Sequence, residues 1–252
     1  LEREDLTHEA TRELLPGILK CSRSAYDGKG QCRVHDIREA LAAFDAFGAV
    51  PCVLEKKLAL QAEISVVAAR GDDGEIATYP IAENMHRDGI LDVTIAPARI
   101  AGPLADEALR VANHIARCLD YCGVMCVEYF VLADGSLLVN EIAPRPHNSG
   151  HYSIDACITS QFEQQVRVLA GLPLGDTRLL SPAVMVNLLG ELWEHGEPCW
   201  DVILGKRNAK LHLYGKTAAR RGRKMGHYTV LGDSVARCNS VAMTIRDSLE
   251  KS

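Results

Sequence analysis

The sequence predicts an α+β (mixed α/β) chain. Segments with apolar residues at helical spacing interleave with short alternating or wholly apolar runs along all 252 residues, and no repeat or low-complexity linker interrupts them. Two strand pairs flank Asp-Gly dipeptides, Asp73-Gly74 and Asp134-Gly135. Turns of that kind join antiparallel strands, so the sheet cannot be purely parallel. A content of 47% hydrophobic and 24% charged residues supplies a sizeable core, for one large or two small domains.

The elements follow in order. "GILKCS" is a short strand carrying Lys20, and "AYDGKGQ", Ala25 to Gln31, is a glycine-rich loop. Ile37, Leu41 and Phe44 sit at helical spacing, and Gly48 ends that helix. "VPCVLEKK" is a strand, and "AEISVVAARGDDGEIATYPIAE" is two strands around the first Asp-Gly turn. "PLADEALRVANHIARCLDYCG" is an amphipathic helix with Leu104, Val111, Ile115 and Leu119 expected inward. "VMCVEYFVLADGSLLVNEIA" is the second hairpin, "SQFEQQVRVLAGL" a helix closed by Gly171, and "PAVMVNLLG" a buried strand. Two short strands then bracket "YGKTAARRGRKMGH", and a last helix starts near Val235.

A net charge of −5 argues against a nucleic-acid binder. No apolar run reaches the roughly 20 residues that span a bilayer, and no signal peptide is visible. The first residue is Leu1, not Met, which suggests a piece of a longer chain. Nine irregularly spaced cysteines are expected to be reduced thiols of a cytoplasmic protein. His114, Cys118, Cys122 and Cys126 recur every four residues, but Gly123 breaks the helix between them. Buried small hydrophobes is therefore the expectation, ahead of a metal site.

Chemistry concentrates in "NEIAPRPHNSGH", Asn140 to His151. If Asp134-Gly135 is a two-residue turn, Ala133 faces Ser136, and counting back along both strands sets Glu128 opposite Glu141. Opposed Cβ atoms lie about 4.5–5.5 Å apart, and like charges there are destabilising. A hard divalent cation held by carboxylate oxygens would relieve them, with Asn140 a further oxygen donor if it does not point to the other face. Two solvent-facing glutamates without a partner is the bland alternative.

Weaker signals accompany it. Gly28 and Gly30 around Lys29 could let backbone N–H groups approach phosphates, or form a plain surface turn. "LEKKL", Leu54 to Leu58, could line an adenine or be a charged linker, and His86 could touch a ligand or solvent. Lys216, Arg220, Arg221, Arg223 and Lys224 form a basic run. In an acidic chain it suits a compact anion such as a sugar phosphate, if it is more than a solvated face.

Taken in order, "ILK…YDGKGQ…EKK…GVMCVE-F…G-LLVNEIAPRPHNSGH…SQFEQ…AGLPLG…GRKMGH" resembles the N5-carboxyaminoimidazole ribonucleotide synthetase family of ATP-grasp enzymes. This family is also called the ATPase subunit of phosphoribosylaminoimidazole carboxylase. The similarity runs from about Leu15 to about Gly232. It implies an ATP-grasp fold of two α+β subdomains with a small C-terminal β-rich region, here 1–54, 55–190 and 191–252. It implies an ATP-dependent C–N ligase of purine biosynthesis that carboxylates 5-aminoimidazole ribonucleotide with bicarbonate through carboxyphosphate.

Roles carry over residue by residue. Lys20 and Lys29 would meet ATP phosphates under a lid of Ala25, Tyr26, Asp27, Gly28, Lys29, Gly30 and Gln31. Glu55, Lys56, Lys57 and Leu58 would line the adenine, Glu63 the ribose, and His86 the nucleotide site. Glu128 and Glu141, beside Asn140, would bind Mg²⁺ or Mn²⁺. Tyr26, Asp27, Arg145, His147 and Asn148 would serve catalysis. Arg145, His147, Asn148 and Ser149, with Lys216, Arg223 and Lys224 from a remote hairpin, would bind the ribonucleotide. The oligomeric state stays open, a homodimer included. Two departures stand out. Ser24 and Ala25 replace family glycines, and the family's N-terminal domain, on the scale of about a hundred residues, has no counterpart. The alternatives are an ATP-binding fragment without turnover and another ATP-grasp carboxylate-amine ligase.

Overall fold

The computed structural model describes residues 1–23 and 30–251. The chain divides into two compact units, Leu1–Ala59 with Asp88–Ile90, and Leu60–Arg87 with Leu91–Ser252. Among the described residues no helix is long and apolar enough to cross a membrane.

In the first unit, helix α1 (Glu9–Arg12) precedes strands β1 (Gly17–Cys21) and β2 (Gln31–Val34), helix α2 (Ile37–Ala46) and strand β3 (Cys52–Lys56). The strands form an antiparallel sheet of order β2-β1-β3. Asp36 caps α2 by accepting the Glu39 N–H, while Glu39 accepts the His35 N–H. Leu19 and Leu54 enter a core with Leu6, Val34, Ala40 and Phe44. Side chains alternate along a strand, so Lys20 and Glu55 leave on the other face, where Lys20 Nζ meets Glu55 Oε2 at 2.5 Å. Of the expected lid, Ala25, Tyr26, Asp27, Gly28 and Lys29 lie outside the described residues, as does Ser24. Gly30 takes φ +69°, and its carbonyl accepts the Cys21 N–H at 2.8 Å.

The second unit holds strands β4 (Leu60–Arg70), β5 (Ile76–Thr78), β6 (Ala82–Arg87) and β7 (Ile90–Ala96), helix α3 (Gly102–Cys118), and strands β8 (Gly123–Leu132) and β9 (Leu137–Ala143). Helices α4 (Ser153–Ala156) and α5 (Gln161–Leu169), strand β10 (Ala183–Leu189), helix α6 (Asp201–Leu204), strands β11 (Ala209–Leu213) and β12 (Lys224–Leu231) and helix α7 (Val235–Leu249) complete it. The sheet runs β11-β12-β10-β7-β6-β4-β8-β9, with β5 paired to β4. Strands β11 and β12 therefore continue the same sheet rather than forming one of their own. The pair β6 and β7 was not read from the sequence, although Asp88 and Gly89 join them. Both take positive φ, 52° and 77°, as a type I′ hairpin turn demands.

Strand alternation explains the two faces. Ile64, Val66 and Ala68 of β4 and Met125, Val127, Tyr129 and Val131 of β8 pack against α3. The helix presents Ala108, Ala112 and Ala116, all fully buried. Contrary to the sequence expectation, Leu119 lies beyond the helix end and is 57% exposed. The seam is alanine because small side chains let helix and sheet approach closely, with Leu104, Val111 and Ile115 at its margins. On the opposite sheet face Val67, Ala69, Val124 and Cys126 are apolar core. Further along, the same face turns polar, with Glu63, Ser65 and Glu128.

Cys126, Cys157, Cys238 and Cys52 are buried, as expected of small hydrophobes, but Cys118 and Cys122 are exposed. Cys118 is the last helical residue, on the exposed side of the final turn, and Cys122 lies past the helix end, so spacing alone misplaced them. All nine cysteines are free thiols.

The hairpin of β8 and β9 departs from the expected turn yet keeps the expected pairing. The Leu132 N–H donates to Ser136 O, and the Gly135 N–H to Leu132 O, with Gly135 at φ +81°. The loop is thus three residues, Ala133 to Gly135, and Tyr129 pairs with Val139. A bulge at Asn140 then shifts the register by one residue, and Glu128 does face Glu141.

Gly190 is a packing constraint on the basic hairpin. A Cβ there would lie 2.1 Å from the Arg220 carbonyl oxygen, and its N–H donates to Arg223 O at 2.9 Å. Gly190→Ala is expected to cost about 1–3 kcal/mol through overpacking. A Cβ on Gly102 meets nothing within 4 Å, so Gly102→Ala is the matched control and should leave the urea midpoint unchanged or higher. Equal midpoints for the two variants would contradict the packing argument.

Candidate active site

The register of four strands assembles the site. Ser65 pairs with Glu128 and Glu128 with Glu141, one row across β4, β8 and β9. Glu63 pairs with Asn84 of β6, and His86, two residues on, lies on the same face. His86 Nδ1 sits 2.9 Å from Glu63 Oε2, though off the line of a good hydrogen bond. Burial opposes the imidazolium of His86, but Glu63 and then Glu128 outweigh it, and its pKa is raised. Burial is also the largest influence on Glu128, and with Glu141 and Glu63 it raises that pKa against the opposing pull of His86 and Lys224.

The turn after β9 carries the next groups. The Arg145 N–H donates to Ala143 O at 2.8 Å, and its exposed guanidinium reaches Pro146 O at 3.1 Å. His147 is held by Gln161, whose Oε1 accepts the His147 N–H at 2.9 Å and whose Nε2 donates to the His147 carbonyl at 2.7 Å. Gly150 makes room for this amide, since a Cβ there would lie 2.6 Å from Gln161 Oε1. His147 Nε2 lies 3.7 Å from Glu128 Oε1, each side chain 14% exposed. Burial, then the charges of Arg145 and Lys224, push the His147 pKa down to about 3, so the ring is neutral.

Asn148 and Asn187 exchange amide hydrogen bonds of 3.0 and 2.6 Å, and Asn187 also donates to Leu91 O. Ser149 is fully buried, and its hydroxyl meets Ser65 at 2.8 Å and His147 Nδ1 at 2.9 Å.

Beside the turn, Asp155 Oδ2 lies 2.8 Å from His212 Nε2, and Tyr214 OH 2.8 Å from His227 Nδ1. Donor atoms of Asp155, His212 and His227 lie within 4.8 Å of one another. Their rings do not suit a shared cation. His212 and His227 stack at 4.5 Å and 14°, so their in-plane lone pairs run side by side instead of converging. Glu128 and Glu141, facing each other across β8 and β9, offer the oxygen donors that a hard cation takes.

The ATP-grasp domain family matches residues 1–162. The chain belongs to the ATP-grasp family. The C-terminal domain family of phosphoribosylaminoimidazole carboxylase matches residues 183–241 of this ATP-grasp chain. The N5-carboxyaminoimidazole ribonucleotide synthase of Brucella melitensis is 49% identical over 215 residues, 84% of this chain and 58% of that one. That of Bacillus subtilis is 45% identical over 224 residues, 88% and 58% respectively. A solved ADP complex of an N5-carboxyaminoimidazole ribonucleotide synthetase superposes with TM-score 0.88 at 42% identity, over 99% of this chain and 66% of that one. An Aspergillus clavatus N5-carboxyaminoimidazole synthase in complex with ADP and 5-aminoimidazole ribonucleotide superposes with TM-score 0.83 at 30% identity, over 99% and 64%. The chain spans 58% of the length of the two curated relatives.

The residues expected from sequence are divided in this ATP-grasp chain. Lys20, Gly30, Gln31, Glu55, Lys56, Lys57 and Leu58 belong to the first unit. Glu63, His86, Glu128, Asn140, Glu141, Arg145, His147, Asn148 and Ser149 belong to the second, with Lys216, Arg223 and Lys224. The charge of Lys224 acts to lower the pKa values of His86, Glu128, His147 and His151. Lys216 Nζ donates to Lys224 O and Arg223 to Ala218 O, both exposed. Ser65, Asn84 and Gln161 were passed over. The period-two spacings Glu63-x-Ser65 and Asn84-x-His86 were the available signal for the first two.

His151 and His227 generate a pH prediction. Burial, the largest influence on each, pushes their pKa values down to about 4 and about 3. An unfolded histidine protonates near 6.5, so below that the unfolded state binds more protons and stability falls with pH. The loss should run from about pH 6.5 toward about pH 4, at about 1.4 kcal/mol per pH unit for each histidine. Urea unfolding at stepped pH checks it. His227→Gln should reduce the slope by about one proton, whereas a flat profile would contradict the burial argument.

Proposed function

We propose that the chain carries out the ATP-dependent carboxylation of 5-aminoimidazole ribonucleotide with bicarbonate. In the first step bicarbonate takes the γ-phosphoryl group of ATP, giving ADP and carboxyphosphate. In the second the exocyclic amine forms a C–N bond to the carboxyl carbon, and inorganic phosphate leaves. The product is N5-carboxyaminoimidazole ribonucleotide, and the class is a C–N ligase of purine biosynthesis. The observation that carries this reading is the facing pair Glu128 and Glu141, with Arg145 and His147 on the turn that leaves the same strand.

In this reading Lys20, Gly30 and Gln31, with the loop from Ala25 to Lys29, contact the nucleotide phosphates. Glu55 to Leu58 line the adenine, Glu63 the ribose, and His86 orients Glu63. Glu128, Glu141 and the Asn140 amide hold Mg²⁺ or Mn²⁺. A cation held there would supply positive charge beside the phosphates. Carboxyphosphate is a reactive anhydride, so it must form beside its acceptor and away from water. A turn fixed by Gln161 suits that task, because Arg145 and His147 are aimed before substrate arrives and little ordering remains on binding. Asn148 acts through its pairing with Asn187, and Lys216, Arg223 and Lys224 take the ribonucleotide phosphate.

Two experiments test it by direct binding. Glu141→Gln should abolish the Mg²⁺ dependence of ATP binding in calorimetry while leaving the thermal midpoint within a few degrees. ATP binding equally dependent on Mg²⁺ would exclude Glu141 as a ligand. Arg223→Ala removes a charge-assisted contact of about 1.5–3 kcal/mol and should weaken ribonucleotide binding about ten- to a hundredfold. The affinity for ATP should hold. Loss for ATP alone would reassign the basic hairpin to the nucleotide.

A further inference from the structure

A chain of buried polar groups under the acidic row has a single direction. Thr94 Oγ1 donates to Asn84 Oδ1 at 3.2 Å, which leaves the Asn84 NH₂ group to donate to Ser65 Oγ at 2.9 Å. Ser65 in turn donates to Ser149 Oγ at 2.8 Å. Ser149 Oγ lies 2.9 Å from His147 Nδ1, and the Ser149 backbone N–H points at the same nitrogen at 3.4 Å.

A backbone N–H can only donate, so Nδ1 is the acceptor. The Ser149 hydroxyl, which accepts from Ser65, has its own proton free for Nδ1. Its remaining neighbour, the Cys126 thiol at 3.8 Å, is a weak partner that does not compete for that direction. A neutral imidazole carries one N–H, and with Nδ1 accepting, that hydrogen sits on Nε2. Nε2 is the atom that faces Glu128. Thr94 and Ser149 are fully buried, Ser65 is 1% and Asn84 4% exposed, so water cannot stand in for a missing link.

We infer that Ser65 and Ser149 are positioning residues that hold His147 as its Nε2–H tautomer, so that the ring offers a hydrogen-bond donor, not a base, to an oxyanion of the bound substrate. The substrate half of this inference rests on the function proposed above, whereas the tautomer rests on the hydrogen-bond chain alone. The donor role follows from what each tautomer presents. An Nδ1–H ring would turn a lone pair toward the site and repel an incoming carboxylate or phosphate oxygen. The Nε2–H ring attracts it without carrying a charge that burial would penalise.

The test reads the tautomer directly. Protein carrying isotope-labelled histidine is examined by long-range proton–nitrogen correlation, and the His147 signals are assigned by their loss in His147→Gln. The wild-type protein should show the Nε2–H pattern only. Ser149→Ala, which leaves Nδ1 with the longer backbone contact, should show a mixture. Asn84→Asp reverses the chain, because an ionised carboxylate only accepts. Ser65 then donates to Asp and Ser149 to Ser65, so the Ser149 hydroxyl no longer donates to Nδ1 and can accept from it; only the longer backbone contact still favours Nε2–H, and the Nδ1–H share should rise. An Nδ1–H ring in the wild type, or pure Nε2–H in both variants, overturns the inference.

Calorimetry with 5-aminoimidazole ribonucleotide is read separately. If the Nδ1–H form takes about nine-tenths of the population in Asn84→Asp, binding weakens about tenfold, in proportion to the competent fraction. A reversed tautomer with unchanged binding, there and in His147→Gln, overturns the substrate role of His147 and leaves the tautomer control standing.

Discussion

Two carboxylates opposite each other on neighbouring strands repel, and the repulsion grows where water cannot screen it. Glu128 and Glu141 face each other, the first largely covered and the second exposed, with Glu63 near enough to add to the repulsion. Much of the second unit can be understood as an answer to this charge. His86 leans on Glu63, and the charges of His86 and Lys224 work against the rise in the Glu128 pKa. The arrangement stays electron-rich, which makes it a receptacle for positive charge and, through it, for phosphates. A helix or an apolar strand pair at the same place would be more stable and would bind nothing.

Rigidity comes from a source other than prolines alone. Pro144 and Pro146 limit the backbone of the turn, but the Gln161 amide grips both the N–H and the carbonyl of His147. The gripping side chain is itself fully buried, and it depends on Gly150 having no side chain. The same turn sends its next residue, Ser149, downward into the hydrogen-bond chain under the sheet. One short segment therefore fixes the ring's place through its backbone and the ring's hydrogen through its neighbour. Support of this kind, from residues that never meet a ligand, keeps a site within the tolerance that chemistry needs.

Much of this was legible in the sequence, for reasons that can be named. Alternation and turn dipeptides located the strands around Val127 and Leu138, and helical spacing located α2, α3 and α5. The facing of Glu128 and Glu141 was read correctly from a turn that is one residue longer than assumed, because the bulge at Asn140 restores the count. The hairpin of β6 and β7 escaped although Asp88-Gly89 marks it. Leu119 was assigned inward because it fits a helical stripe, yet the helix stops one residue earlier. Ser65 and Asn84 offered one faint signal, their period-two spacing from Glu63 and His86, and Thr94 and Gln161 offered none. Each is an ordinary polar residue in its own segment, and its meaning arises only from the register among strands distant in sequence.

The distribution of sulfur atoms gives the protein an internal ledger of its own opening. Cys118, Cys122 and Cys199 stand in solvent, Cys21 and Cys32 are half covered, and the remaining four are enclosed. A thiol reagent would consume them in an order set by local unfolding instead of by intrinsic reactivity. Cys52 belongs to the first compact unit, while Cys126, Cys157 and Cys238 belong to the second. Counting alkylated sites by mass over time would therefore report the breathing of the two units independently, on unaltered protein and without any probe attached.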